Sequence, residues 1–234
     1  RALFVNTTGV QNTAVGALAL DANTTGQYNV ALGRSALSAN TTASYNTAVG
    51  TYALLASSGA NNTAIGYSSL VSCTTGYNNI GLGFNACYNL TTGHKNTALG
   101  YQALHIGTTY VGCTAAGYQA LYNNTAGYNT AFGFQASVSN TGGTENCTFG
   151  SQAGYSLTTG SNSVAMGSNA LFSADTESNN TALGHHALKD LSGGQYNVAV
   201  GAFAGDDATT ADYGTYVGYS AGSNTLTGAY NTII

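Results

Sequence analysis

The sequence is almost without charge and contains no proline or tryptophan. Charged residues make up 5% of the chain, against about 25% in an ordinary soluble protein. Only four lysines and arginines are present, and the net charge is −4. This excludes the basic surface on which nucleic acid binding depends. We therefore expect no nucleic-acid partner. Because no apolar run approaches the roughly 20 residues needed to cross a bilayer, we also expect no membrane span.

What the chain does contain favours an ordered β structure. It has 32 glycines and 17 tyrosines, and threonine, valine and isoleucine are plentiful. Disordered chains are usually poor in aromatic and β-branched residues. Strands are rich in both, so this composition predicts an all-β protein.

A motif of the form Asn-Thr-Ala-x-Gly recurs along the whole chain, as at 46–50, 96–100 and 180–184. Its glycines lie 17 residues apart, except for two gaps of 16. They are Gly16, Gly33, Gly50, Gly66, Gly83, Gly100, Gly117, Gly133, Gly150, Gly167, Gly184, Gly201 and Gly218. A fixed period of this kind is the signature of a repeat architecture. We therefore interpret residues 1–234 as one uninterrupted array, a slice of a longer fibre protein.

With each glycine as position 1, the other positions form columns of similar residues. Position 4 is alanine in all copies except Ser69, and position 5 is mostly leucine. Position 17, just before the next glycine, is a large apolar residue in all copies but Ala116. Position 14 is mostly asparagine: Asn12, Asn29, Asn46, Asn62, Asn79, Asn96, Asn129, Asn146, Asn180, Asn197 and Asn231.

These columns predict a parallel β-solenoid, or β-roll, of about 14 stacked 17-residue coils. Residue types alternate with period 2 within Asn-Thr-Ala-Val-Gly, which indicates a strand. One coil is too small to bury its own apolar face, so successive coils must stack about 4.8 Å apart. We expect the leucines at position 5 and the large side chains at position 17 to line the interior. The asparagine column should form a hydrogen-bonded ladder.

The segment 161–170, SNSVAMGSNA, resembles the head repeats of trimeric autotransporter adhesins. The other copies read NNTAIG or YNTAVG in the same register. The array, with units such as NTALGYQAL at 96–104, is also similar to repeats of phage tail-fibre-like proteins and related bacterial fibre proteins. The resemblance extends over essentially the whole chain, although the adhesin repeat is shorter than the repeat of this chain. It implies a left-handed roll, a homotrimer and an extracellular location on a virion fibre or a cell surface.

Aromatic residues mark the most informative surface. Position 2 carries an aromatic ring in five consecutive coils, at Tyr67, Phe84, Tyr101, Tyr118 and Phe134. Tyrosines also recur at position 13, as at Tyr28, Tyr45 and Tyr128. We expect both columns to stack along the solenoid. If they are exposed, they are candidate contacts for sugars or proteins.

Groups suited to catalysis or metal binding are scattered. The segment 205–212, GDDATTAD, could hold Ca²⁺, but a solvated loop explains it better. His185 and His186 should point in opposite directions in extended chain, which makes them a poor zinc chelate. Cys73 and Cys87 could form a disulfide, although small buried thiols are the preferred interpretation. We therefore expect no enzyme activity, no cofactor and no metal.

The leading functional hypothesis is a structural fibre or adhesin-like rod. Its partners would be other copies of the chain and, through its outer loops, cell-surface glycans or proteins. An ice- or crystal-binding solenoid is the alternative, because Thr-Thr pairs recur at 24–25, 41–42, 74–75, 91–92, 108–109, 158–159 and 209–210. A polysaccharide-degrading β-helix would need paired carboxylates, and the scattered acids argue against it.

Overall fold

The structure, a computed structural model, describes residues 1–224 and 227–234. Over these residues the chain forms fourteen short strands and no helix. The strands are β1 Thr13–Val15, β2 Val30–Leu32, β3 Thr47–Val49, β4 Thr63–Ile65, β5 Ile80–Leu82, β6 Thr97–Leu99, β7 Thr114–Ala116, β8 Thr130–Phe132, β9 Cys147–Phe149, β10 Val164–Met166, β11 Thr181–Leu183, β12 Val198–Val200, β13 Thr215–Val217 and β14 Thr232–Ile233. The chain divides into two compact units, Arg1–Ala115 and Ala116–Ile234.

Within each unit, every strand pairs in parallel with the strand of the next coil, and the register follows the sequence repeat. In β1 and β2, Thr13 pairs with Val30 and Ala14 with Ala31. In β10 and β11, Val164 pairs with Thr181, again one full repeat further along the chain. Equivalent positions therefore lie directly above one another. The predicted all-β parallel solenoid, with one sequence repeat in each coil, is confirmed.

Two apolar columns lie at the centre of the buried interior of each coil. The middle residue of the strand, at position 16, is almost always alanine and is fully buried, as at Ala31 and Ala98. The position 5 leucines, such as Leu37 and Leu104, are also 0% exposed. Gly81 replaces the alanine in one coil, and a Cβ there would lie 2.5 Å from the Oγ of Ser69, the only residue other than alanine at position 4. The prediction that the leucine column lines the interior is correct.

The prediction that the large side chains at position 17 also line the interior is wrong. They point outward, and Val15, Leu32 and Leu99 are 55%, 46% and 38% exposed. Strand geometry explains this, because alternate residues point to opposite faces. Since the position 14 asparagine and the position 16 alanine share the inner face, the side chains at positions 15 and 17 must share the outer one.

The turn after each strand imposes unusual backbone conformations. The position 1 glycines have φ between about +128° and +143°, as at Gly66 and Gly184. The position 5 leucines also have positive φ, near +50° at Leu37 and Leu104. This region costs an L-residue roughly 1–2 kcal/mol. Burial of a leucine side chain, worth about 1.5–3 kcal/mol, offsets that cost in each coil.

The buried leucines at position 5 and the exposed leucines at position 17 should respond to the same substitution with losses of stability of very different size. Leu104→Asp places a carboxylate in a fully buried position, which should lower the free energy of unfolding by more than about 3 kcal/mol. Leu99→Asp alters a side chain that is 38% exposed in the single chain, and should lower it by less than about 1 kcal/mol. Urea unfolding compares the two variants at a concentration low enough for the native mass to be that of one chain, so that association through the outer face does not contribute. Equal losses would contradict the assignment of inner and outer faces.

Candidate functional site

The most distinctive surface is the outer face of the strands, which we call the sheet face. It consists of the first and third residue of each strand, at positions 15 and 17. None of the fourteen strands contains a charged residue. In unit 1 the face includes exposed Leu32, Ile65 and Leu82, and in unit 2 it includes Met166 and Val200. Position 15 is threonine in most strands, so the apolar part of this face is the row of position 17 side chains. An exposed apolar row of this kind is a candidate interaction surface.

The predicted position 2 aromatics lie at one margin of the sheet face, because position 2 follows position 17 after only the position 1 glycine. Tyr67, Phe84 and Tyr101 in unit 1 are 48%, 42% and 41% exposed. Their ring centroids are 5.3 Å apart at each step, and the rings are within 11° of parallel. In unit 2, Tyr118 and Phe134 stack at 5.4 Å and are similarly exposed.

A second aromatic column, at position 13, borders the other margin. In unit 1, Tyr28 stacks on Tyr45 with centroids 5.0 Å apart. In unit 2, Tyr196, Tyr213 and Tyr230 stack successively at 5.0 Å. In both columns the ring faces cover one another, so the solvent meets mainly ring edges and phenolic oxygens. These columns therefore expose ring edges, with a phenolic oxygen at each tyrosine, more than open ring faces.

The position 14 asparagines form a ladder on the inner side of each strand. Asn96 is typical: its Nδ2 donates to the Oδ1 of Asn79 and to the carbonyl of Tyr110, both at 3.0 Å. Its Oδ1 accepts from the backbone N–H of Cys113 at 2.9 Å. In unit 2, Asn146 makes the corresponding bonds to Gly160 and Ser163. Each amide therefore joins its own coil to the next one and satisfies backbone groups at the turn.

The end members of this column are less enclosed. Asn12 and Asn231 are only half-buried, although the Nδ2 of Asn12 still donates to the carbonyl of Gly26. Most interior members are almost completely buried: Asn29, Asn46, Asn62, Asn79, Asn129, Asn180 and Asn197. Their role is structural, because no external group can reach the amides.

Sequence reasoning missed a second buried asparagine column, at position 8. Asn23, Asn40, Asn124 and Asn140 are 0% exposed. The Asn40 Nδ2 donates to the Oδ1 of Asn23 at 3.0 Å and to the carbonyl of Ala43. The Asn-Thr-Thr-Gly sequence is typical of a turn, which does not by itself indicate a ladder. The recurrence of asparagine at 6, 23, 40, 124 and 140 is the signal in the sequence, although serine, cysteine, leucine, glycine or alanine occupies position 8 in the other described coils.

The Thr-Thr loops use one hydroxyl of each pair internally. The Oγ1 of Thr24 donates to the carbonyl of Thr41, and the Oγ1 of Thr91 donates to the carbonyl of Thr108. The second residue of each pair, as at Thr25 and Thr92, is exposed. The outer loops are therefore tied to the next coil by one threonine and present the other to solvent.

The candidate metal ligands do not form a metal site in the part of the chain that the structure describes. Of the acids in 205–212, Asp212 accepts a hydrogen bond from the backbone N–H of Gln195. The expectation that His185 and His186 point apart is wrong, because their ring centroids are 3.9 Å apart. They lie in a turn rather than a strand, and His186 has a positive φ.

The cysteines are free thiols, so the alternative of a Cys73–Cys87 disulfide is not realised. Cys73, Cys87 and Cys113 are buried. Burial raises the pKa of the Cys73 thiol from 9.0 to about 11. It raises the pKa of the Cys87 thiol to about 12, although a hydrogen bond with Tyr110 opposes the increase. These thiols are packed as small apolar groups rather than as nucleophiles.

The raised thiol pKa values predict a loss of stability at alkaline pH. Below pH 9 both states keep the thiols protonated, so their contribution is fully present. As the pH rises from 9.0 towards about 12, the Cys87 thiol ionises in the unfolded chain before it does so in the folded one. Stability should therefore fall through this window, by about 4 kcal/mol for Cys87 at the upper end. Thermal unfolding between pH 8 and 12 would measure it, and Cys87→Ala should flatten the profile.

In comparisons with known proteins, no family model, curated protein or solved structure matches the chain. Among the described residues, no cavity is found that could enclose a ligand, and no helix is long and apolar enough to cross a membrane. The sheet face and the loops opposite it are thus the features from which a function can be argued.

Proposed function

We propose that this chain is a repeat segment of a structural, adhesin-like fibre. In this proposal, copies associate through the sheet face, and the outer loops are presented for attachment to a host or another surface. The observation that supports this proposal most directly is the row of outward-facing apolar residues at position 17, such as Leu32, Ile65 and Leu82. No group in the segment is assigned a catalytic role, and no cofactor is invoked.

The regular geometry of the sheet face supports self-association. Its rows repeat at the strand spacing of about 4.8 Å, and the same spacing occurs on every copy of the chain. Apolar side chains of one copy can therefore fit between those of another along the whole length of a unit. The absence of charge from the strands removes the desolvation penalty that ionised groups would impose at such an interface.

The oligomer that we propose is a homotrimer of left-handed rolls, following the resemblance to adhesin heads. Three copies packed about a common axis would cover three sheet faces and leave the outer loops exposed. A rod of this kind suits an extracellular position, on a virion fibre or a cell surface. Cell-surface glycans or proteins are the proposed targets of its loops.

One observation favours the alternative function, binding to ice or to another crystal. The second threonines of the loops, among them Thr25, Thr75 and Thr92, form an exposed and regularly spaced column. Against it, the first hydroxyl of each pair is already used by a backbone carbonyl. Ice recrystallisation in the presence of the protein would test this alternative, and unaltered crystal growth would remove it.

Charge placed on the sheet face tests the proposed association. The double variant Leu82→Lys/Leu99→Lys should shift the native mass from three chains to one, because it introduces charges into an apolar contact. The matched control Thr75→Lys/Thr92→Lys adds the same charge to the exposed loops of unit 1 and should leave the mass unchanged. If both variants retain the native mass of the unmodified protein, association through this face is refuted.

A further inference from the structure

The buried columns of unit 2 depart from the repeat in matched sets. Position 16 is usually alanine and position 5 usually leucine, but Thr148 and Tyr216 replace alanine with larger residues. Each substitution is accompanied by small residues at position 5 of its own coil and of the next one. The accompanying residues are Ser137 and Gly154 for Thr148, and Gly205 and Gly222 for Tyr216.

The Tyr216 ring fills the space that three side chains would otherwise occupy. Tyr216 is 0% exposed. A Cβ at Gly222 would lie 2.3 Å from its Cδ1, and a Cβ at Gly205 would lie 3.0 Å from its Cδ2. A Cβ at Gly214, which stands in the asparagine column, would lie 2.6 Å from its hydroxyl oxygen. The ring and the three glycines therefore form one size-matched set.

Thr148 repeats this arrangement on a smaller scale. Its Oγ1 lies 3.1 Å from the hydroxyl oxygen of Ser137. A Cβ at Gly154, in the next coil, would lie 3.0 Å from the Thr148 Cγ2 and 3.2 Å from the Ser137 Oγ. A leucine at this position, as in most coils, would collide with Thr148. The pairing thus specifies which coil can follow the coil of Thr148.

An array of near-identical coils has a specific folding problem. Because almost every coil presents the same alanine and leucine, a coil can stack on the wrong predecessor and leave one coil looped out. The wrong contact buries the same side chains as the correct one. The looped coil loses its own stacking, so such a slip is a kinetic trap during folding rather than an equilibrium state.

We propose that Thr148 and Tyr216 are register keys that prevent slippage by one coil. If the coil 201–217 loops out, Gly222 faces Ala199 in place of Tyr216, and a void the size of the missing ring remains. If the coil 150–166 loops out, Leu171 meets Thr148 in place of Gly154. Each slip therefore produces a cavity or a collision, both of which destabilise a packed core.

A disulfide reporter detects the slipped register directly. Gln195→Cys and Ala229→Cys lie at the same position two coils apart, or about 9.6 Å at the strand spacing. That separation exceeds the roughly 7 Å limit for a disulfide, so the link forms only when the coil 201–217 is looped out. Asp212→Cys with Ala229→Cys is the positive control, because Asp212 and Ala229 are paired in the native register.

The key is removed by restoring the common residue of each column, with Tyr216→Ala, Gly205→Leu, Gly222→Leu and Gly214→Asn. Gly205 and Gly222 have φ of 59° and 67°, close to the 49° of Leu188, so leucine suits both positions. After unfolding and oxidative refolding, peptide mass mapping should find the 195–229 link several-fold more often without the key than with it. Equal yields of that link would overturn the proposal.

The Thr148 key allows a second, independent experiment if the restored Tyr216 variant does not fold. Ser137→Leu, Thr148→Ala and Gly154→Leu restore its columns. The reporter pair is then Thr144→Cys with Ser178→Cys, which lie at the same position two coils apart and meet only when the coil 150–166 is looped out. More of this link without the key supports the proposal, and an unchanged yield overturns it.

Discussion

Gly133→Ala is expected to lower the free energy of unfolding of unit 2 by about 2–6 kcal/mol, combining backbone strain with overpacking. Gly133 has a φ of +141°, a conformation that L side chains rarely adopt. A Cβ there would lie 2.3 Å from the carbonyl oxygen of Gly150 in the next coil. Backbone on both sides prevents relief by a rotamer change. Urea unfolding, followed by circular dichroism, measures the loss.

Gly142→Ala is the matched control in the same unit. Its Cβ would meet only the Thr159 Cγ2, at an ordinary contact distance of 3.5 Å. Gly142 is not among the residues with positive φ, so alanine should change the stability by less than about 1 kcal/mol. Similar effects at positions 133 and 142 would show that the position 1 glycines do not set the coil spacing.

Asn96→Leu should destabilise unit 1 by about 2–5 kcal/mol while keeping the number of side-chain heavy atoms and the branching at Cγ, because each unsatisfied buried polar group costs about 1–3 kcal/mol. The substitution removes the Oδ1 that accepts from the backbone N–H of Cys113 and the Nδ2 that donates to the carbonyl of Tyr110, both in a buried place. Differential scanning calorimetry of the two proteins would measure the effect.

The control is Asn89→Leu, at a half-buried position outside the asparagine columns. It makes the same chemical change and should alter the stability by less than about 1 kcal/mol. If the Asn96 variant unfolds at the same temperature as the Asn89 variant, the hydrogen bonds of the asparagine ladder do not contribute to the stability of the fold.

The period of the fold was readable from the chain because each coil repeats its neighbour. Regularly spaced glycines such as Gly100 and Gly184 defined the coil, and the alternation in residues 96–100 located the strand. Asparagine in one column implied a ladder, because an amide can both donate and accept. These inferences depend on local pattern and on identity between copies, and both are present in the sequence.

The direction of the side chains was harder to predict, because a general rule competed with the local pattern. Large apolar residues are usually placed inside, which led us to put Leu99 in the core. The rule holds in one direction only, since much of a folded surface is apolar. The alternation itself grouped Asn96 with Ala98, so the small Ala98 was the better guide to the interior. The Tyr216 set could not be predicted, because it depends on contacts between two coils.

The measurement that tests the account most directly is the native mass of the unmodified chain across a range of concentrations. A sheet face without charge, bordered by stacked tyrosines, should be covered by other copies in solution. The account predicts a stable species of three chains that persists on dilution to low micromolar concentration. A single chain at every concentration would contradict the fibre proposal and leave the sheet face as a solvated surface.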